Sequence, residues 1–167
     1  DDMNEHIEFL VKVKQRTLLV VLKIVLWILT VLGVLLTFTG ILSIFPLIFA
    51  VITGLCANLC GLRADIEYEY TLTDKEMDID VIYAKQSRKH LITLDLEKLE
   101  IMAPVGSARL QGYKNRGAKF KDFSSMMTNP VNPVFDMYYD GNKCFRIEPD
   151  ERLFKAIKDV APFKVYT

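Results

Sequence analysis

The feature that most constrains this chain is a long run without charge, since no Asp, Glu, Lys or Arg occurs between Ile24 and Leu62. From Leu18 to Leu62 the sequence is apolar almost throughout, with Lys23 its only charged residue. One helix needs about 20 apolar residues to cross a hydrocarbon core of about 30 Å, and this run is roughly twice that length. The absence of any polar face disfavours a helix pair in a soluble core. The sequence therefore predicts a two-helix transmembrane hairpin over residues 18–62.

The reversal of this hairpin is predicted at residues 37–40, where Gly40 can take the positive φ that a tight turn requires. One helix is then expected at about residues 18–36 and a second at about residues 41–60. Pro46 falls in the first turns of the second helix, where its missing N–H costs least.

Basic residues flank the predicted hairpin at both ends, whereas its turn has none. Because Lys and Arg concentrate in the cytoplasmic loops of membrane proteins, both termini are predicted to be cytoplasmic. Lys23 can extend its ammonium group to the headgroups along its aliphatic stem, and Trp27 suits the interfacial belt. The predicted membrane-interface anchors are Arg16, Lys23, Trp27 and Arg63.

The segment before the hairpin, residues 3–17, is predicted to be an amphipathic helix that lies along the bilayer surface. Ile7, Leu10 and Val11 would form its apolar stripe, at the spacing of a helix. Such a helix buries its apolar side at the boundary of the acyl chains and keeps its polar side in water.

After Arg63 the solid apolar run gives way to alternation, which predicts a β-rich soluble domain over residues 63–167 that folds on its own. Residues 126–133 are predicted to form a loop, because they include two prolines and show no periodicity. Gly141 supplies the positive φ of a hairpin turn. Seven strands are expected, near residues 66–73, 77–83, 90–94, 99–103, 119–123, 134–139 and 144–147. One amphipathic helix follows, which residues 149–151 open with acidic residues at its positive end and which Pro162 stops.

The charges and cysteines of the chain exclude several classes of function. Acidic and basic residues number 21 each, without the basic surplus that a nucleic-acid partner requires. The three cysteines have no paired spacing, so neither a disulfide framework nor a zinc site is indicated. His6 and His90 have no Cys or His nearby at ligand spacing. No metal, cofactor or nucleic acid is therefore predicted.

No catalytic constellation is found in the sequence. The acidic pairs Glu67/Glu69 and Asp78/Asp80 recur with period two, so each pair shares the outward face of a strand and is interpreted as solvated surface. There is no glycine-rich phosphate loop and no nucleophile motif. The sequence therefore predicts a protein that is not an enzyme, and it identifies no small-molecule substrate.

Two basic clusters on predicted links of the soluble domain are candidate contacts with anionic lipid. A domain tethered at the inner leaflet can turn such residues toward the headgroups, and each adds up to ~1 kcal/mol near the surface. Ordinary solvated loops are the alternative interpretation. The candidate residues are Lys85, Arg88 and Lys89 in one cluster, and Lys114, Arg116, Lys119 and Lys121 in the other.

The predicted fold class is a membrane α-helical hairpin plus an α+β domain, in which a terminal helix covers the open end of a seven-stranded bent sheet or barrel. That domain has the layout of the PH-like superfold. Residues 68–74, the basic link after them and residues 147–154 resemble membrane-anchored PH-like domains of bacteria. From Met3 onward the chain resembles a family of small membrane proteins of Clostridia-type bacteria, with two N-terminal transmembrane helices and such a domain. The resemblance implies a bacterial plasma-membrane location, and that family has no assigned activity.

The predicted function is a membrane-anchored, non-enzymatic interaction or scaffold module. Its expected partners are the lipid bilayer and either another protein or further copies of itself. The alternative is an accessory or immunity-type subunit that acts through its hairpin on a transporter or on a membrane-active peptide. A pore is disfavoured, because two helices without charged midplane residues line one only if many copies assemble.

Overall fold

The computed structural model describes residues 6–40 and 44–167, which divide into two compact units. The helical unit comprises Gln15–Ile66 together with Tyr83–Ser87. The β-rich unit comprises the described residues up to Lys14, Glu67–Ile82 and Arg88–Thr167. The β-rich unit therefore takes up chain from both sides of the helices, which the predicted boundary at residue 63 did not foresee.

Two helices, α1 (Thr17–Phe38) and α2 (Phe45–Ala64), form most of the helical unit. Both are long and apolar enough to cross a membrane. Gly40 follows α1 with φ +68°, as the predicted turn requires, and Pro46 lies in the first turn of α2. Residues 41–43, the predicted start of the second helix, lie outside the described residues.

Small residues line the contact between α1 and α2. A Cβ atom on Gly33 would lie 3.1 Å from the Cβ of Ala50 and 3.1 Å from the carbonyl oxygen of Pro46, so the helices approach closely there. The hydroxyl groups of Thr30 and Thr53 are 3.0 Å apart across the same contact. Close approach through small residues, with a hydroxyl hydrogen bond between helices, is typical of helices that associate in lipid.

The segment predicted as a surface helix contains a strand, so that prediction is wrong. The strand β1 (Ile7–Lys12) pairs antiparallel with β2 (Ile66–Thr73), and Lys12 lies opposite Glu67. Ile7 and Val11 are buried in the core. Over so short a segment both spacings find apolar residues, since Ile7 and Val11 fit a helix with Leu10 and fit a strand with Phe9. Pairing with β2 decides between them, since it satisfies backbone groups and buries one face of the segment.

The strands form two four-stranded sheets that do not close into a barrel. The first has the order β1-β2-β3-β4, with β3 (Glu76–Tyr83) and β4 (Ser87–Asp95). The second has the order β5-β7-β8-β6 and consists of β5 (Leu99–Pro104), β6 (Lys119–Asp122), β7 (Phe135–Tyr139) and β8 (Lys143–Ile147).

All seven predicted strands are present, and β1 is added to them. Within the second sheet β5, β7 and β8 pair antiparallel, whereas β6 pairs parallel with β8. Without β6, consecutive strands are neighbours within each sheet. The strands β1 to β5, β7 and β8 then equal in number the seven strands of the predicted layout, and β6 lies at the edge of its sheet.

The C-terminal helix α4 (Glu151–Val160) packs on the main core, as the sequence predicts. It begins after Asp150, whose carboxylate accepts a hydrogen bond from the N–H of Leu153 at 2.8 Å. Leu153 and Ile157 are fully buried, and the ring of Phe154 stacks on that of Phe135 with centroids 4.8 Å apart. A short helix α3 (Gln111–Lys114) lies in the segment that covers the other face of the second sheet.

Candidate functional site

The two histidines take part in exposed polar pairs. The Nε2 atom of His6 is 2.7 Å from a carboxylate oxygen of Glu8, and the Nδ1 atom of His90 is 2.8 Å from a carboxylate oxygen of Asp80. Among residues 6–40 and 44–167, no group of three His, Cys, Asp or Glu side chains could hold a metal ion. Both histidines therefore have a surface carboxylate as a partner.

Cys144 offers no reactive thiolate. Cys144 is buried in the second sheet, and burial raises the pKa of its thiol to about 11. A thiol with so high a pKa stays protonated at neutral pH, and the protonated form is a weak nucleophile. Cys56 and Cys60 lie in α2.

The outer face of the first sheet carries acidic residues in cross-strand pairs. Glu69 is only 4% exposed, so its interpretation as solvated surface is wrong. Arg88 lies 2.7 Å from its carboxylate. Burial raises the pKa of Glu69, while the guanidinium of Arg88 opposes that shift. Asp78 accepts a hydrogen bond from the hydroxyl of Thr93. These contacts give the acidic residues a structural role on this face.

The three members of the first basic cluster differ in their ion pairing. Arg88 is engaged with Glu69, whereas Lys85 and Lys89 are exposed and make no ion pair within the part of the chain that the structure describes. Lys85 lies in the turn between β3 and β4, which is held by a 2.7 Å hydrogen bond from the N–H of Ala84 to the carbonyl of Asp65.

The second basic cluster lies along α3 and β6. Arg116 is 2.8 Å from a carboxylate oxygen of Glu100, and its guanidinium stands over the ring of Tyr113. The other three members of the cluster are exposed and have no ion pair among the described residues: Lys114 at the end of α3, and Lys119 and Lys121 in the edge strand β6. Two of the seven candidate lipid contacts are thus committed to carboxylates.

The predicted membrane-interface anchors occupy the helical unit. Arg16 precedes α1 and Arg63 lies in the last turn of α2. Trp27 is exposed on α1. The stem of Lys23 passes over Gly61, where a Cβ atom would lie 3.2 Å from Cε. Gly61 therefore leaves room for the stem, and the ammonium lies toward the C-terminal turn of α2, whose dipole favours a cation.

A buried carboxylate was not anticipated from the sequence. Glu148 is 2% exposed, and its two oxygens accept hydrogen bonds from the backbone N–H groups of Ser125 (3.0 Å) and Asn132 (3.3 Å). The N–H of Glu148 lies 3.3 Å from the hydroxyl of Tyr70, which donates to the carbonyl of Phe123 at 2.5 Å. We call this arrangement the Glu148 clamp, since it fixes both ends of the loop at residues 126–131. Its parts are far apart in sequence, so no local pattern indicates it.

A groove of about 740 Å³ lies between α4 and the turn that joins β2 to β3. Its apolar lining is Ile7, Leu72, Ala156 and Val160, and the acidic residues along it are Asp74, Glu76 and Asp159. Lys75, the one basic residue of the lining within the described part of the chain, is 2.6 Å from Glu97 and so is already neutralised. We call this site the acidic groove. An apolar lining with uncompensated carboxylates suits a segment that carries an apolar side chain beside basic ones.

Comparison with known proteins identifies the family. No curated protein and no solved structure matches the chain. The sequence model of one family, described as Bacterial PH-like domain (DUF6106), matches residues 3–167. The match includes β1, both apolar helices and the whole β-rich unit, and PH-like domains are typically binding modules without catalytic activity. The chain belongs to the bacterial PH-like domain family.

Proposed function

We propose that this protein is a membrane-anchored interaction module without enzymatic activity. In this proposal α1 and α2 cross a bacterial plasma membrane, and the PH-like domain binds a protein partner on the cytoplasmic side. The observation that carries the proposal is the insertion of two apolar helices between the paired strands β1 and β2 of a PH-like domain. The insertion ties a binding domain to the lipid bilayer at two points of the chain.

Exposure of the helices supports their place in lipid. Leu18 and Phe38 are 80% and 85% exposed, and Gly33 is the only buried residue of α1. A water-soluble protein rarely leaves so large an apolar surface in contact with water. Hydrocarbon covers that surface without cost, and both helices satisfy their backbone groups internally, as a membrane requires.

Strand pairing supports the same topology. The chain leaves the first sheet after Lys12 and returns to it at Glu67, and these residues are partners in one ladder. Both ends of the inserted helices therefore emerge on the side of the bilayer where the domain folds, so the number of crossings is even. Arg16 and Arg63 flank the insertion, and the positive-inside rule favours the cytoplasm for that side.

The topology predicts which positions a membrane-impermeant thiol reagent reaches in intact cells. In a chain whose native cysteines are replaced, Thr39→Cys is expected to react from outside. Lys143→Cys is expected to react only after the membrane is permeabilised, because its strand lies in the cytoplasmic domain. The opposite pattern would overturn the orientation, and reaction at both positions in intact cells would overturn the membrane insertion.

The acidic groove supports a protein as the partner. Its carboxylates have no ion pair among residues 6–40 and 44–167 and line an apolar floor, and this composition complements a basic segment with an apolar anchor. Such a segment can belong to another protein or to a second copy of this chain. Two other acidic residues of the first sheet, Glu69 and Asp80, are engaged in cross-strand pairs and are less available to a partner.

Purification in mild detergent tests this function. The wild-type chain is expected to elute with a mass above that of one copy, together with a partner protein or as an oligomer. The change Glu76→Lys with Asp159→Lys should abolish the added mass, because it reverses the charge of the acidic groove. The matched control, Asp140→Lys with Glu151→Lys, reverses two exposed carboxylates elsewhere and should leave the mass unchanged. Equal loss in both variants, or saturable turnover of a substrate by the purified chain, would contradict the proposal.

A further inference from the structure

We propose that the loop at residues 126–131, here called the apolar loop, rests on the bilayer surface and is a second membrane contact of this protein. The inference rests on the membrane anchorage proposed above. The loop belongs to neither basic cluster, and the sequence singled it out only as a loop.

The composition of the apolar loop suits contact with lipid. No charged residue occurs between Asp122 and Asp136. Three apolar side chains of the loop, those of Met126, Met127 and Val131, are exposed, and Val131 is 86% exposed. Exposed apolar side chains on an uncharged loop gain from transfer to the boundary of the acyl chains, where no charge has to be desolvated.

The apolar loop is held in one shape. Glu148 binds the N–H groups of Ser125 and Asn132, which flank the loop, so its two ends are fixed to one buried carboxylate. Met126 has φ +55°, a left-handed conformation that glycine or asparagine adopts more readily than methionine. Strain of this kind persists where the surrounding structure imposes it, and it concentrates at functional positions. The loop therefore presents its apolar side chains without first having to be ordered.

A short stretch of chain joins the base of the apolar loop to the first residue of α1. The carbonyl of Ser125 accepts a hydrogen bond from the N–H of Lys14 at 2.8 Å. Only Gln15 and Arg16 separate Lys14 from Thr17, where α1 begins. The intervening chain spans at most about 10 Å even when fully extended. If α1 enters the bilayer at its first turn, the base of the loop cannot be further than this from the membrane surface.

Phe163 provides a control at the other end of the domain. It is 88% exposed, a close match to Val131. Its neighbour Lys164 donates to the carbonyl of Glu97, and Glu97 is 2.6 Å from Lys75. Lys75 follows β2, whose eight residues extend about 26 Å from the end of α2. The chain therefore places Phe163 at the end of the first sheet that is remote from the helices' attachment.

Tryptophan quenching in bilayers of brominated phospholipid tests the inference with the full-length chain. Trp27 is the only tryptophan, so wild type reports on the helices alone. Trp27→Phe with Val131→Trp reports on the loop, and Trp27→Phe with Phe163→Trp reports on the remote end. Bromine near the headgroups should quench position 131 as strongly as Trp27 and leave position 163 unquenched. Because the contact is apolar, added salt should not change the quenching at position 131.

The outcomes separate the loop contact from the anchorage. Unquenched Trp27 in wild type would overturn the anchorage itself. Quenched Trp27 with an unquenched residue at position 131, or equal quenching at positions 131 and 163, would overturn the loop contact and leave the anchorage intact. Adding Met126→Gly with Met127→Ser should weaken the quenching at position 131 without lowering thermal stability, since Gly relieves the left-handed backbone. Unchanged quenching in that variant would also contradict the inference.

Discussion

Deleting residues 1–62 is expected to leave a chain that cannot fold, although every strand from β2 onward remains. The deletion removes β1, and with it six paired positions along β2. It also removes Ile7 and Val11 from the core and Phe9 from its packing beside Tyr70, with ring centroids 6.3 Å apart. Burial of each such side chain contributes about 1.5–3 kcal/mol. Their sum is comparable with the whole free energy of unfolding of a typical domain, about 5–15 kcal/mol.

A matched control keeps β1 and removes only the helices. Residues 6–14 joined to residues 65–167 through a short Gly/Ser linker should give a soluble domain that melts cooperatively. The linker can be short, because Lys12 and Glu67 lie opposite each other in the ladder. Circular dichroism and thermal melting of both chains, expressed side by side, provide the measurement. A cooperative melt of residues 63–167 at the same temperature as the linked chain would show that β1 is dispensable.

The sequence predicts best those features of the fold that depend on neighbouring residues. Alternation along β2 and β3 and the positive φ of Gly40 and Gly141 need no knowledge of the distant chain, and the structure agrees with each prediction. The helix α4 also follows from local periodicity, together with the acidic residues Asp150 and Glu151 at its start. These elements depend on residues close together in the sequence, so a local pattern is enough to predict them.

Features that depend on distant partners were missed. The helical interpretation of Ile7, Leu10 and Val11 failed because the strand that pairs with them lies beyond the entire helical insertion. Glu69 is buried although it alternates with apolar residues as an exposed side chain would, because Leu10 of β1 lies opposite it and Arg88 pairs with it. The basic clusters could be located, but not their engagement: only the structure shows that Arg116 is bound to Glu100.

The role of Glu148 also depends on distant partners and could not be predicted from the sequence, although its expected effect on stability is large. In the sequence it precedes Pro149 and Asp150 and looks like part of the lead into α4, whereas in the structure its side chain holds two distant backbone N–H groups. Hydrogen bonds to a charged group contribute about 1.5–3 kcal/mol each, and a buried donor left without a partner costs its desolvation as well. Glu148→Ala is therefore expected to lower the free energy of unfolding by about 3 kcal/mol or more.

The measurement is urea unfolding of the linked chain without helices, in which a shift of the midpoint at constant slope reports a change of stability alone. Glu148→Gln should lose less, because the amide oxygen can still accept a hydrogen bond from one of the two N–H groups. Glu151→Ala, an exposed carboxylate in the first turn of α4, serves as the control and should change stability by less than about 1 kcal/mol. Limited proteolysis should also cut the apolar loop faster in Glu148→Ala than in Glu151→Ala, since the clamp no longer fixes its ends. Equal midpoints for Glu148→Ala and Glu151→Ala would show that the clamp does not stabilise the domain.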